Sequence, residues 1–251
     1  MIRLVRAEFL KLRSTQVWFW LLLAAVALSA LFVIGPLASH NGVQNGTDVA
    51  DMFASASIGY VVIFVLGVLG VTTEFRYQTI TPTVLATPSR WTLITAKMIS
   101  YAILGLIYAA ICLIVQLAIA IPWLSTKHIH YSLGSDHIPR ALIGVFIVLA
   151  LFGIIGLGAG ALLKNQIVAV TVGVIFLVAL QNIALAIPGV KYAYPYLPGG
   201  ATRAVVEVGS GDNSLNGVHL LSPAGGVVML LLWAFVPAIL GAAITMNRDI
   251  T

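Results

Sequence analysis

Six long apolar stretches dominate the chain, and none carries a charge near its middle. They run over residues 17–36, 55–73, 96–123, 139–163, 167–188 and 223–246. A helix rises about 1.5 Å per residue, so roughly 20 apolar residues cross a hydrocarbon core of about 30 Å. Lipid offers no partner to bare backbone N–H and C=O groups, so stretches of this kind must be helical. Charged residues make up only 8% of the chain, against roughly 25% in a soluble domain. That excludes a soluble enzyme and a disordered chain. The expected fold is an all-α integral membrane protein, a single transmembrane domain over residues 1–251 with six spans.

The first stretch has a basic front but is too long for a signal peptide's apolar core, and no clean cleavage motif follows, so it reads as a retained span. Pro36, Pro122 and Pro188 are expected to close spans, Pro139 and Pro223 to open them, and Pro237 alone to lie inside a helix. The positive-inside rule sets the orientation. With both termini cytoplasmic, the inner side holds nine basic residues: Arg3, Arg6, Lys11, Arg13, Arg76, Arg90, Lys97, Lys164 and Arg248. The outer side holds four: Lys127, Arg140, Lys191 and Arg203. A multi-pass protein of the cell (inner or plasma) membrane is expected. The long outer loop 189–222 is expected to carry a short helix near 202–208 lying against the membrane.

Residues 1–15 form a basic amphipathic element. Ile2, Val5, Phe9 and Leu12 recur at three- and four-residue spacing, with Arg3, Arg6, Lys11 and Arg13 on the remaining face or its edges. Such a helix suits the inner headgroup layer, as a topology anchor and as a mechanical elbow. The inner loop 74–95 is neither a short polar turn nor a folded domain. Val84, Leu85 and Trp91 alternate with polar residues, and Thr83 can cap a short helix that Pro88 must end. A half-apolar helix held in the cytoplasm needs a cover, which a soluble partner can supply.

The order of residues here resembles that of the ABC-2 type transporter permeases, the membrane subunits of bacterial ATP-binding cassette exporters. The resemblance rests on Glu74 and Arg76 at the inner end of the second span, on Thr79 and Thr81, and on Leu85-Ala86-Thr87-Pro88-Ser89-Arg90. Lys97 at the start of the third span and the opening that ends in Lys11-Leu12-Arg13-Ser14 belong to the same pattern. Pro82 departs from it, where the family more often continues helically. The resemblance implies a permease that pairs with a second one, identical or sister, and docks two ATPase subunits through a coupling helix in the 74–95 loop. It implies coupling roles for Glu74, Arg76, Leu85, Pro88 and Arg90, with Lys97 anchoring the loop. Their plainer reading is topology and lipid-headgroup binding. The sequence has no G-x-x-x-x-G-K-[ST] phosphate loop. No catalytic residue and no cofactor is therefore expected on this chain, and ATP and Mg are expected on the partner ATPase. No nucleic-acid partner is expected.

Gly156 and Gly160 form a small-xxx-small pair suited to close helix packing, within the subunit before any dimer contact. Gln116, Thr171, Gln181 and Asn182 are polar within spans; helix-to-helix hydrogen bonds are the plain expectation, with Gln181 and Asn182 as candidates for the substrate path. His128, His130, Asp136 and His137 share an outer loop but no metal spacing, and Cys112 reads as an inert core residue. The alternative functions are an ATP-independent secondary carrier and a non-transporting scaffold or sensor. No span has a charge near its middle, and the expected absence of buried charges argues against an ion-coupled carrier.

Overall fold

The structure is a computed structural model. It describes residues 2–39, 43, 46–78, 90–127, 134, 137–207, 214–215 and 217–246. In chain order the helices are α1 (Ile2–Ser14), α2 (Val17–Ala38), α3 (Gly46–Ala54), α4 (Tyr60–Arg76), α5 (Arg90–Thr126) and α6 (Ile138–Leu163). They continue as α7 (Gln166–Ile175), α8 (Gln181–Ala186), α9 (Pro198–Val206) and α10 (Pro223–Met246). A 3-10 segment, Ser55–Gly59, joins α3 to α4, and a π segment, Phe176–Leu180, joins α7 to α8. Two-residue strands, Ser214–Leu215 and Val218–His219, pair antiparallel.

Six helical runs are long and apolar enough to cross a membrane: Val17–Ala38, Gly46–Arg76, Thr92–Thr126, Ile138–Leu163, Gln166–Ala186 and Pro223–Gly241. The chain is an all-α integral membrane protein. Helix in the second run begins at Gly46, well before Ser55, because Val49, Met52 and Phe53 are buried there. Two prolines behave differently from expectation. Pro36 and Pro122 sit inside the last turns of α2 and α5 rather than closing them. Each removes one backbone hydrogen bond to the preceding turn, while the fixed φ of the ring remains compatible with helix. Pro188 does end its helix, with Ile187 held extended at φ −90°, ψ 120°, the conformation that the next ring enforces.

Helix α6 is the hub. In its most apolar window 72% is buried, against 17% in the first and fifth spans, whose remaining surface is left to lipid or to other chains. The packing is backbone against backbone. A Cβ on Gly156 would run into the Phe64 carbonyl of α4, one on Gly160 would crowd that of Val68, and one on Gly67 would strike that of Gly153. The small-xxx-small pair therefore packs α6 on α4 within the chain. Lipid supplies no hydrophobic drive between helices, so this close approach is what holds them together. Tyr60 and Phe152 stack nearby, with ring centroids 4.6 Å apart.

The expected helix near 202–208 is present but displaced and differently placed. It runs from Pro198 to Val206 as α9, and Ala201, Thr202, Ala204 and Val205 are buried. Gly226 of α10 lies under the Ala201 carbonyl. The small residues Ala201 and Ala204 let α9 pack closely on α10. Replacing Gly156 with Leu should force α4 and α6 apart, an overpacking cost of about 1–3 kcal/mol or more. A lowered thermal midpoint of the detergent-purified protein checks this, and an unchanged midpoint would contradict the contact.

Candidate coupling site and far-end cavity

Helix α1 turns Val5, Glu8, Phe9 and Leu12 inward, and Phe9 and Leu12 pack on the core. Arg3, Arg6 and Arg13 are exposed. Ile2, expected on the apolar face, is also exposed. Glu8 is only 4% exposed, a carboxylate on the apolar stripe. The charged cluster it joins draws on three helices, α1, α4 and α5. Lys11 Nζ lies 3.2 Å from Glu8 Oε1 and 2.8 Å from Glu74 Oε1. Lys97 Nζ lies 2.9 Å from Glu8 Oε2 and 2.8 Å from Glu74 Oε1. The four groups close a ring of alternating charge, in which each ion faces two of opposite sign.

Lys97 also donates toward the Gly70 carbonyl at 3.4 Å. Glu8, Glu74 and Lys97 are buried, and Lys11 closes the ring at its open side. Partial burial pulls the Lys11 ammonium down, but the hydrogen bond and charge of Glu74, then Glu8, outweigh that and hold it above its ordinary 10.5. The raised value means the attraction is intact below pH 10.5 and is lost only as pH climbs through the still higher folded value.

Among the expected coupling residues, Glu74 and Lys97 thus meet each other and Lys11. Arg76 does not join them; it is exposed, with its guanidinium carbon 5.7 Å from the Tyr77 ring centroid. Leu85 and Pro88 lie outside the described residues, and with them the expected coupling helix. Arg90 opens α5, and its side chain also lies outside them. Glu8 was missing from the expected set. Its signal was legible: residues 5, 8, 9 and 12 form one helical stripe, and a charge on such a stripe needs a partner.

The opposite end of the bundle holds the second candidate. Gln181 Oε1 accepts the Gly199 N–H at the start of α9. Its Nε2 has no partner, although the residue is 2% exposed. Asn182 bonds within its own helix, Nδ2 to the Val178 carbonyl at 2.7 Å. The π segment just before them, where the Gln181 N–H reaches back to Phe176, widens the turn. Such single-turn bulges recur at functional positions. A cavity of about 290 Å³ opens here between α2, α3, α4, α8 and α9, lined by Asp51, Tyr60, Gln181, Tyr194, Arg203 and Glu207 among others. Burial raises the Glu207 carboxyl above its usual range; Arg203, 3.5 Å away, opposes this and Asp51 adds to it.

Several other polar groups bond across helices or at helix ends. Gln116 Nε2 donates to the Ser29 carbonyl and to Ser55 Oγ, bonding across helices as expected. Lys127 caps the last carbonyls of α2 at Leu37, and Arg140 those of α9 at Ala204 and Glu207, the ends that favour cations. His128, His130 and Asp136 lie outside the described residues, among which no metal-spaced cluster occurs.

No curated protein matches the chain. The family described as "ABC-2 family transporter protein" matches residues 4–187. The chain belongs to the ABC-2 transporter family. Membership makes this multi-pass ABC-2 protein a transport permease and implies ABC ATPase partners. The matched residues contain the whole charge ring and the first five spans. Tyr194, Arg203 and Glu207 of the far-end cavity lie beyond them.

In the permease, removing one cation of the ring leaves buried carboxylates short of charge. Lys97→Met should therefore cost about 3–5 kcal/mol, seen as a drop in thermal midpoint. Adding Glu74→Gln restores the balance of charge and should recover part of the loss. A Lys97→Met variant as stable as the parent would contradict the ring.

Proposed function

We propose that this permease is the membrane subunit of an ATP-driven exporter. It pairs side by side with a second permease, identical or sister, and docks two separate ATPase subunits. ATP and Mg are bound by those subunits, since the sequence carries no phosphate loop. Both termini and the 74–95 loop face the cytoplasm, where nine of the 13 basic residues then lie.

The observation that carries this reading is the charge ring. It ties α1 to the two helices that flank residues 79–89, so that segment is anchored on both sides. Glu74 holds the end of α4, Lys97 holds the first turns of α5, and both hold the elbow through Glu8 and Lys11. A push on the loop from an ATPase would reach two spans and the elbow together. Leu85 and Pro88 shape the docking helix, and Arg76 and Arg90 offer charge to the ATPase. Gln181 and Asn182, at the far-end cavity, are assigned to the path of the cargo.

Purification of the tagged chain from its native membrane in mild detergent should recover a soluble ATPase in about equal amount. In that complex, Arg90→Glu and Leu85→Asp should leave expression intact and abolish transport-linked ATP turnover. Full turnover in both variants, or recovery of the chain alone under conditions that preserve another membrane complex, would refute the assignment.

A further inference from the structure

We propose that the outward face of α1 is a binding surface for anionic phospholipid, and that lipid held there steadies the charge ring. Such a surface follows from the membrane-spanning fold and is independent of the exporter reading.

Helical spacing defines the face. Arg3, Arg6, Leu10 and Arg13 recur at three- and four-residue steps and so share one side of α1. All four are exposed. The other side belongs to the bundle, with Phe9 and Leu12 packed on the core and Glu8 in the ring. The apolar stripe that the sequence offers to lipid is therefore used inside the molecule. What remains for lipid is the arginine side.

Its charge is unbalanced. Glu8 is the only acidic residue before Asp48. It is 4% exposed, and its two oxygens are held by Lys11 and Lys97. Among the described residues, none of the ion pairs includes Arg3, Arg6 or Arg13. Three guanidinium groups thus face outward with no carboxylate on their own helix to meet them.

Depth decides which anion meets them instead. Only Thr15 and Gln16 separate α1 from α2, the first span, so α1 is held where that span leaves the membrane. Ile2 is 86% exposed and Leu10 60%, beside the arginines, and Phe19 and Trp20 are exposed at the start of α2. Water alone would leave these apolar side chains uncovered, and hydrocarbon alone would leave the guanidinium groups without partners. The headgroup layer satisfies both. Acyl chains cover Leu10 and the aromatic rings, and phosphate oxygens match the planar guanidinium forks. A soluble acidic partner would meet the arginines and leave the rings of the span uncovered. A zwitterionic lipid has phosphate too, but its own cation cancels the attraction, so a surface with surplus positive charge selects lipids of net negative charge.

The ring gives this contact a consequence. Glu8 and Lys11 join α1 to α4 and α5. Three outward cations on a helix of 13 residues repel one another. Anionic headgroups between them remove that repulsion and hold α1 where Glu8 reaches Lys97.

The test is native mass spectrometry of the purified full chain in detergent, titrated with phosphatidylglycerol and with phosphatidylcholine of the same acyl chains. The parent should prefer phosphatidylglycerol. One arginine beside an anionic surface contributes a factor of about five. The triple variant Arg3→Gln, Arg6→Gln, Arg13→Gln should therefore lose roughly tenfold or more of the preference. Lys191→Gln, at the far end of the bundle, should keep it. The thermal midpoint of the parent should be higher in phosphatidylglycerol nanodiscs than in phosphatidylcholine ones, and that of the triple variant should not. A parent without preference, a triple variant that retains it, or its loss in Lys191→Gln would overturn the assignment. So would a triple variant that loses a co-purified ATPase but keeps the lipid preference, since the face would then belong to the ATPase. Should the triple variant fail to fold, salt decides, because exposed charges are screened. A preference that falls as salt rises supports the surface, and one indifferent to salt overturns it.

Discussion

Two carboxylates and two ammonium groups in one closed ring solve a problem that the rest of the α1 end depends on. Each of Glu8, Glu74 and Lys97 would be costly alone at its burial. Together they neutralise one another across three helices. Such a ring is weak evidence for extra stability, because desolvation offsets much of the attraction and an apolar cluster could do as well. What it adds is register. Glu74 and Lys97 are 23 residues apart and Glu8 and Lys97 are 89 apart, so the ring forms only when the elbow, the end of α4 and the start of α5 are all correctly placed.

The bundle beyond the ring is held differently. Spans one and five bury little of themselves, whereas α6 is surrounded. Helices in lipid gain little from apolar contact as such, so α6 relies on bare backbone at Gly153, Gly156 and Gly160 to reach α4 and α5 closely. That makes α4 and α6 a stiff pair. The glycines have no side chain to yield, and a substitution would have to move a whole helix.

The sequence made the bundle legible because lipid permits so few solutions: six apolar runs of sufficient length had to become six helices. The pairing of Gly156 with Gly160 was readable for the same reason. Other features depended on contacts that no local pattern encodes. Glu74 and Lys97 flank the loop in sequence, but Glu8, the group that completes their ring, sits inside a helix whose pattern reads as basic outside and apolar inside. The placement of α9 followed from its small residues fitting under α10, whereas its sequence suggested only a short helix. The helix ends were blurred by Pro36 and Pro122, since a proline removes one N–H yet its fixed φ still permits helix, as it does at Pro237 inside α10. The π segment before Gln181 has no proline or glycine to announce it.

The two candidate sites lie at opposite ends of one continuous element. The run Gly46–Arg76 carries Asp51 and Tyr60 at the cavity and Glu74 in the ring. Between them it is fastened to α6 by contacts at Phe64, Gly67 and Val68 that leave no room for sliding at the level of side chains. A displacement imposed at Glu74 therefore cannot be absorbed locally in that stretch; it moves α4 and α6 as a unit or it does not occur. The two departures from regular α geometry, the 3-10 segment Ser55–Gly59 and the π segment Phe176–Leu180, both border the cavity, through Ser57 and Leu177. In the proposed cycle, work delivered at the charge ring thus travels with the α4–α6 pair toward the walls of the cavity, where regular α geometry is interrupted.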